Sequence, residues 1–297
     1  MVDIGLAPPV RRVSALTPQA PADPRRSLQA MRDTTTTLPD GRTLAYTDIG
    51  AADAPVVVYC HGAPTSRLDL VGLEDALAGL GVRVVSPDRP GYGGSSPQPG
   101  RTLAGWPGDV AALADHLGVE RFAVIGYSSG GPYAVACAAL LGERVAAAGV
   151  VAGVTDMGWE PAWDGFDPAE AELMRVGDAA AVTWCEERYG ADGRGYLRGE
   201  ELPPMMREAF RQGVAGYAQD ATLQARAWTF DPGAIGVPVS VLHGQADEIV
   251  PVAHARHTAD VIPTASLRIW PEHGHLTISS EIPSLAATLV GGLRPPA

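Results

Sequence analysis

The apolar residues of this chain fall in short, uninterrupted runs that recur along its length. VVVYC (56–60), FAVIGY (122–127), the run over 145–151, VPVSVLHG (237–244) and ASLRIW (265–270) are the clearest. A strand covered on both faces reads as such a continuous run, whereas a half-exposed strand alternates. Between them, apolar positions recur at helical spacing over 66–80, 102–117, 129–141, 252–261 and 279–291. Two earlier strands, 34–38 and 42–49, flank the turn Pro39-Asp40-Gly41, and a short one spans 83–86. Strands alternating with helices predict an α/β fold: a mostly parallel, twisted sheet with helices on both faces.

The rhythm stops at residues 155–230. That stretch has little strand character and holds ten of the chain's aromatic residues, including Trp159, Trp163, Trp184 and Trp228. It reads as a helical cap inserted into the sheet domain. The expected organisation is a flexible N-terminal extension over 1–33, a core domain over 34–154 and 231–297, and a cap over 155–230. No internal repeat is visible.

Composition narrows the function classes. The chain has 297 residues, 46% apolar and 19% charged, the profile of a globular enzyme. A net charge of −12 disfavours a nucleic acid partner and an anionic membrane. All 22 basic residues are arginine, and neither lysine nor asparagine occurs. A Schiff-base lysine and an N-x-[ST] glycosylation site are therefore excluded. Three cysteines, an odd and sparse set, do not make a disulfide framework. No C-x-x-C or H-E-x-x-H pattern points to a metal, and no cofactor is expected. Residues 1–33 lack an apolar signal-peptide core, and no run reaches the roughly 20 apolar residues of a membrane span. A cytoplasmic protein is expected, with a small molecule as its substrate.

The chemistry concentrates at GYSSGG (126–131). Ser128 stands between glycines two residues away on each side, after an apolar strand and before a helix. That is the context of a nucleophile elbow. An acid and then a histidine should follow in chain order. Asp247, in VLHGQADEIVP, lies just past one late strand, and His275, in RIWPEHGHLTI, just past the last. All three fall beyond the carboxyl ends of strands, where parallel α/β sheets bind ligands. His61-Gly62-Ala63-Pro64 ends another strand. Backbone N–H groups of Ala63 and Ser129 are the expected oxyanion donors, since Pro64 has none.

HGAP (61–64), DRPGYGGS (88–95), GYSSGG, GQADEIVP (244–251) and EHGH (272–275) together resemble the α/β-hydrolase superfamily, in its order and over nearly the whole chain. The resemblance implies the α/β-hydrolase fold, with Ser128 as nucleophile, His275 as general base and then acid, and Asp247 orienting the imidazole. It implies a cap after the sixth strand, at 155–230. It favours His275 over the neighbouring His273 and makes His61 a shaper of the oxyanion loop. Asp156 is the rival acid. His243 is expected to pack at a strand end, His254 and His257 to lie on a helix surface, and Asp88 to be structural.

Dehalogenases and epoxide hydrolases of this superfamily need an aspartate where Ser128 stands. Dehalogenases also place a halide-binding side chain at Ala63, and the HGGPG run of proline iminopeptidases is missing. The expected reaction is hydrolysis of an ester, thioester or lactone of a hydrophobic small molecule through an acyl-serine. Carbon–carbon bond hydrolysis and cofactor-free haloperoxidase or perhydrolase chemistry use the same triad, and a non-hydrolytic binding or biosynthetic role on the same fold is a further class. Trp159, Trp163, Trp184 and Trp228 are candidates to line an aromatic pocket or to form the cap's own core. The cap carries 14 acidic and 7 basic residues, which disfavours a highly anionic substrate.

Overall fold

The computed structural model of the protein describes residues 31–293. Eight strands form one sheet: β1 Met31–Thr37, β2 Thr43–Ile49, β3 Val56–Cys60, β4 Arg83–Pro87, β5 Phe122–Tyr127, β6 Val145–Val151, β7 Val239–Gly244 and β8 Ala265–Trp270. Their spatial order is β1-β2-β4-β3-β5-β6-β7-β8. β1 and β2 pair antiparallel, as do β2 and β4, and every later pairing is parallel.

The continuous apolar runs are explained by what covers them. Val58, Cys60, Phe122 and Val124 point into one buried cluster, while Val57, Tyr59, Ala123 and Ile125 point into another. Side chains alternate across a strand, so β3 and β5 need apolar residues at every position. Helices α2 (Trp106–His116), α3 (Gly131–Leu140) and α8 (Ala253–Val261) contribute to the first cluster. α1 (Glu74–Gly79) and α9 (Ile282–Leu289) contribute to the second. The twofold-covered sheet is the α/β-hydrolase architecture expected from the sequence.

Between β6 and β7 the chain inserts four helices, α4 Pro168–Arg175, α5 Asp178–Tyr189, α6 Pro204–Ala209 and α7 Ala215–Gln224. They enclose a core of their own, with Leu173, Met174, Cys185, Phe210 and Tyr217 buried together. Tyr92, Val154 and Val250 from the sheet domain pack into that core.

Two expectations change. The helix over 66–80 shrinks to Glu74–Gly79. Its first half is held open by polar contacts: Asp88 accepts from the Arg67 backbone N–H at 2.7 Å, and Asp69 accepts from Gly62 N–H at 3.1 Å. The first strand begins at Met31, inside the segment read as a flexible extension, because residues 31–37 pair with β2 along their length and Asp33 takes two hydrogen bonds from Arg67. The rest of that extension lies outside the described residues. Among the described residues no helix is long and apolar enough to cross a membrane.

Candidate active site

β3 lies between β4 and β5 in the sheet, so the chain reverses its direction of travel at β3. The crevice beyond the carboxyl ends of β3 and β5 is where such a sheet places ligands. The loop after β3 and the turn after β5 meet there.

That turn carries Ser128. Its φ is 54°, a left-handed conformation that costs a residue with a Cβ about 1–2 kcal/mol. Two close backbone approaches impose it. A Cβ on Gly126 would lie 2.2 Å from the carbonyl oxygen of Gly130, and one on Gly130 would lie 2.0 Å from that of Cys60. Only glycine fits at either place. The G-x-S-x-G spacing is thus a packing requirement of the turn.

Three side chains from three loops join at Ser128. His275 Nε2 lies 2.9 Å from Ser128 Oγ, and His275 Nδ1 lies 2.8 Å from Asp247 Oδ2. The other carboxylate oxygen of Asp247 accepts from the backbone N–H groups of Ile249 and Val250 at 2.9 and 2.8 Å. Burial would push the Asp247 carboxyl up, but hydrogen bonds from His243, His275 and Val250 hold it well below the usual carboxylate range. An ionised carboxylate only accepts. Nδ1 of His275 therefore carries a proton, and Nε2 is left to accept the one on Ser128 Oγ. The Tyr127 hydroxyl donates to the His275 carbonyl at 2.9 Å. Ser128 is only 7% exposed and His275 8%, so the group is nearly shut from water.

The two rival residues are engaged elsewhere. Asp156 accepts from the backbone N–H groups of Gly158 and Trp228 at 2.8 and 3.1 Å. The His273 carbonyl accepts from Ala246 N–H at 3.0 Å, while its ring stands edge-on to Trp270.

The loop after β3 runs beside the nucleophile. A Cβ on Gly62 would sit 3.6 Å from that of Ser128, and Ala63 packs against the core of the insertion. Ser129 directly follows Ser128 at the start of the next turn. The fully buried His61 accepts from the Arg89 backbone N–H through Nε2 at 3.2 Å, which leaves Nδ1 to donate to Gly62 O at 2.7 Å. Burial, with Arg89 alongside, holds this imidazole neutral, well below its ordinary pKa.

Sequence reasoning missed what lies beneath that loop. The fully buried Arg89 donates to the carbonyls of His61 and Gly62 and reaches Ser129 Oγ at 3.5 Å. Its carboxylate partner is Asp220, on α7 of the insertion, at 2.8 and 3.1 Å. Asp220 also takes hydrogen bonds from Arg101, Tyr133 and Tyr92. Burial alone would raise its carboxyl, but Arg89 and Arg101 hold it well below the carboxylate range. The sequence signal was a lone acid among Tyr217, Ala218 and Ala221 on one helix, all buried.

The tryptophans disperse. Trp228 is a core residue, stacked on Phe230 at 5.3 Å among side chains of the sheet domain, so its packing role is to the sheet domain and not to the insertion's own core. The chain re-enters the sheet domain there, so its rings fill space beside α3. Trp159 stacks on His257 at 4.1 Å, Trp163 lies under Arg175 and donates to Met157 O, and Trp184 donates to Glu172 under Arg188. His254, expected on a surface, is fully buried because α8 packs under the base of the insertion. It accepts from Thr155 N–H, and its other ring nitrogen meets Ala162 O at 2.8 Å.

Comparison with known proteins gives a consistent picture. The family model described as alpha/beta hydrolase fold matches residues 55–281. The chain is 28% identical over 260 residues to a non-heme haloperoxidase of Rhodococcus erythropolis, covering 82% of this chain and 94% of the relative. It is 28% identical over 278 residues to a bifunctional esterase/perhydrolase of Acinetobacter calcoaceticus, covering 87% and 98%. Among solved structures, an esterase from Exiguobacterium antarcticum superposes with a TM-score of 0.65 at 21% identity, covering 89% of this chain and all of that one.

Proposed function

Because the chain belongs to the alpha/beta hydrolase fold family, we propose that it is a serine hydrolase. Its substrate is a carboxylic ester, thioester or lactone of a hydrophobic small molecule. The observation that carries this reading is the unbroken run of hydrogen bonds from Ser128 Oγ through His275 to Asp247.

Ser128 Oγ attacks the acyl carbon while His275 Nε2 takes its proton. Asp247 holds the imidazole in the required tautomer and stabilises the imidazolium. The oxyanion of the tetrahedral intermediate takes hydrogen bonds from Ala63 N–H and Ser129 N–H. His275 then gives its proton to the leaving oxygen or sulfur, which leaves an acyl-Ser128. A water molecule, deprotonated by His275, attacks this ester and restores the serine. The insertion acts as the cap, and its packing on Ala63 and Tyr92 keeps bulk water from the acyl-enzyme.

A second reading shares the acyl-enzyme: hydrogen peroxide replaces water and releases a peracid. It is supported by the likeness to a haloperoxidase and to an esterase/perhydrolase. Peracid formation from acetate and peroxide tests it.

The serine reading is tested with a fluorophosphonate probe and short p-nitrophenyl esters. Labelling and turnover should both vanish in Ser128→Ala, with the circular dichroism of the fold retained. A folded variant as active as the wild type would end the proposal.

A further inference from the structure

The peptide between Gly62 and Ala63 holds the key group. A trans peptide is planar, so the direction of Gly62 C=O fixes the opposite direction of Ala63 N–H. Arg89 NH2 donates to that carbonyl at 3.0 Å, and Arg89 NH1 donates to the carbonyl of His61. One guanidinium therefore reaches two successive peptide planes, and it shares the Gly62 carbonyl with His61 Nδ1 at 2.7 Å. It also touches the Ser129 hydroxyl, on the other expected donor residue.

A guanidinium can hold this pose only if it is held itself. Arg89 is fully buried, and an unpaired buried charge is costly. The carboxylate it meets belongs to Asp220, half a chain away on the inserted helix α7. Asp220 is in turn tied to Arg101 at 2.8 Å and to the Tyr133 hydroxyl, and Tyr133 accepts from Arg101 at 2.7 Å. Tyr133 lies on α3, the helix that follows the nucleophile turn.

We propose that Asp220 is a positioning residue: through Arg89 it aims the Ala63 N–H, so that oxyanion stabilisation depends on the insertion being seated. This rests on the serine-hydrolase reading. It makes the insertion part of the reactive geometry as well as a cover.

The sign of one substitution separates positioning from charge. Asp220→Asn removes a negative charge near the oxyanion and leaves Arg89 and Arg101 cationic. If the network acted by its field alone, the oxyanion would be better stabilised and kcat would rise. If Asp220 positions Arg89, kcat falls.

The experiment measures kcat and KM for p-nitrophenyl acetate, the fluorophosphonate labelling rate, and inhibition by an alkyl trifluoromethyl ketone, whose adduct carries the same oxyanion. Asp220→Asn should lower kcat by about 100-fold, the scale of one lost oxyanion donor, with KM nearly unchanged. Labelling should slow and ketone inhibition weaken in parallel. Tyr133→Phe removes one restraint on Asp220 while keeping every charge. It should give a smaller fall of the same kind, and it decides the matter if Asp220→Asn does not fold. Asp48→Asn breaks the buried pair with Arg83 at 3.0 Å between β2 and β4. It should lower the melting temperature and leave kcat alone. A wild type that labels no faster than Ser128→Ala would overturn the serine-hydrolase reading and this inference with it. An active wild type whose folded Asp220→Asn or Tyr133→Phe variant keeps or raises kcat, or loses only KM, would overturn the inference alone.

Discussion

One carboxylate oxygen serves two histidines. Asp247 Oδ2 lies 2.8 Å from His275 Nδ1 and 3.2 Å from His243 Nε2, which also meets Val250 O at 2.9 Å. Both neighbours of His243 Nε2 are acceptors, so that nitrogen carries its proton and donates. His243→Leu removes one of the hydrogen bonds that hold the Asp247 carboxyl low, so Asp247 should take up its proton, and stop accepting from His275, at higher pH. The acid limb of kcat/KM should move to higher pH. Asp247 would stay oriented, because its other oxygen keeps two backbone donors. A pH–rate profile on a neutral ester checks this, and an unmoved acid limb would show that His243 only fills space. Ser128, Asp247 and His275 were legible as candidates in the sequence because each lies within five residues of a strand's end, and strand ends are marked by local pattern. His243 stands at the end of β7, as expected, and meets an acid only four residues on. Asp220 sits inside a helix, its partners come from other elements, and nothing local encodes that meeting.

At the scale of elements, the turn between β5 and α3 depends on two glycines more than on any attraction. Gly130→Ala would press a methyl against the carbonyls of Cys60 and His61, at 2.0 and 2.7 Å. Those atoms belong to the end of a central strand and cannot yield cheaply. We expect a loss on the order of 3 kcal/mol, read as a lower denaturant midpoint, together with loss of fluorophosphonate labelling. Retained stability would mean that the turn can open without cost. The same logic explains which elements the sequence pattern revealed. β3, β5 and β6 are flanked by other strands and covered on both faces, so their apolar runs are unmistakable. The segment over 66–73 has helical spacing, yet its Arg67 and Asp69 are recruited by Asp33, Asp88 and the Gly62 N–H. Tertiary hydrogen bonds outweighed a propensity worth only tenths of a kcal/mol per residue.

At the scale of the whole molecule, charge is unevenly shared. The chain carries −12, and the 155–230 insertion accounts for −7 of it. Nine of its fourteen acids, Asp192, Glu200 and Glu201 among them, are exposed, where they act on an approaching solute through solvent. Beneath that acidic cover lie the buried cations Arg89 and Arg101, already occupied by Asp220. An anionic substrate thus meets repulsion outside and no free cation from this pair inside. A neutral ester meets neither effect. Between two esters of equal size, one ending in a carboxylate and one in its methyl ester, we expect the neutral one to have the higher kcat/KM at low salt. The gap should narrow as ionic strength rises, because the Debye length contracts from about 30 Å at 0.01 M to about 10 Å at 0.1 M. Any part of the gap that survives high salt measures desolvation in the site itself, since screening does not reach buried groups. A carboxylate-bearing ester that is preferred at every salt concentration would mean that the substrate supplies the anion this surface is built to turn away, and that a cation of the site other than this pair receives it.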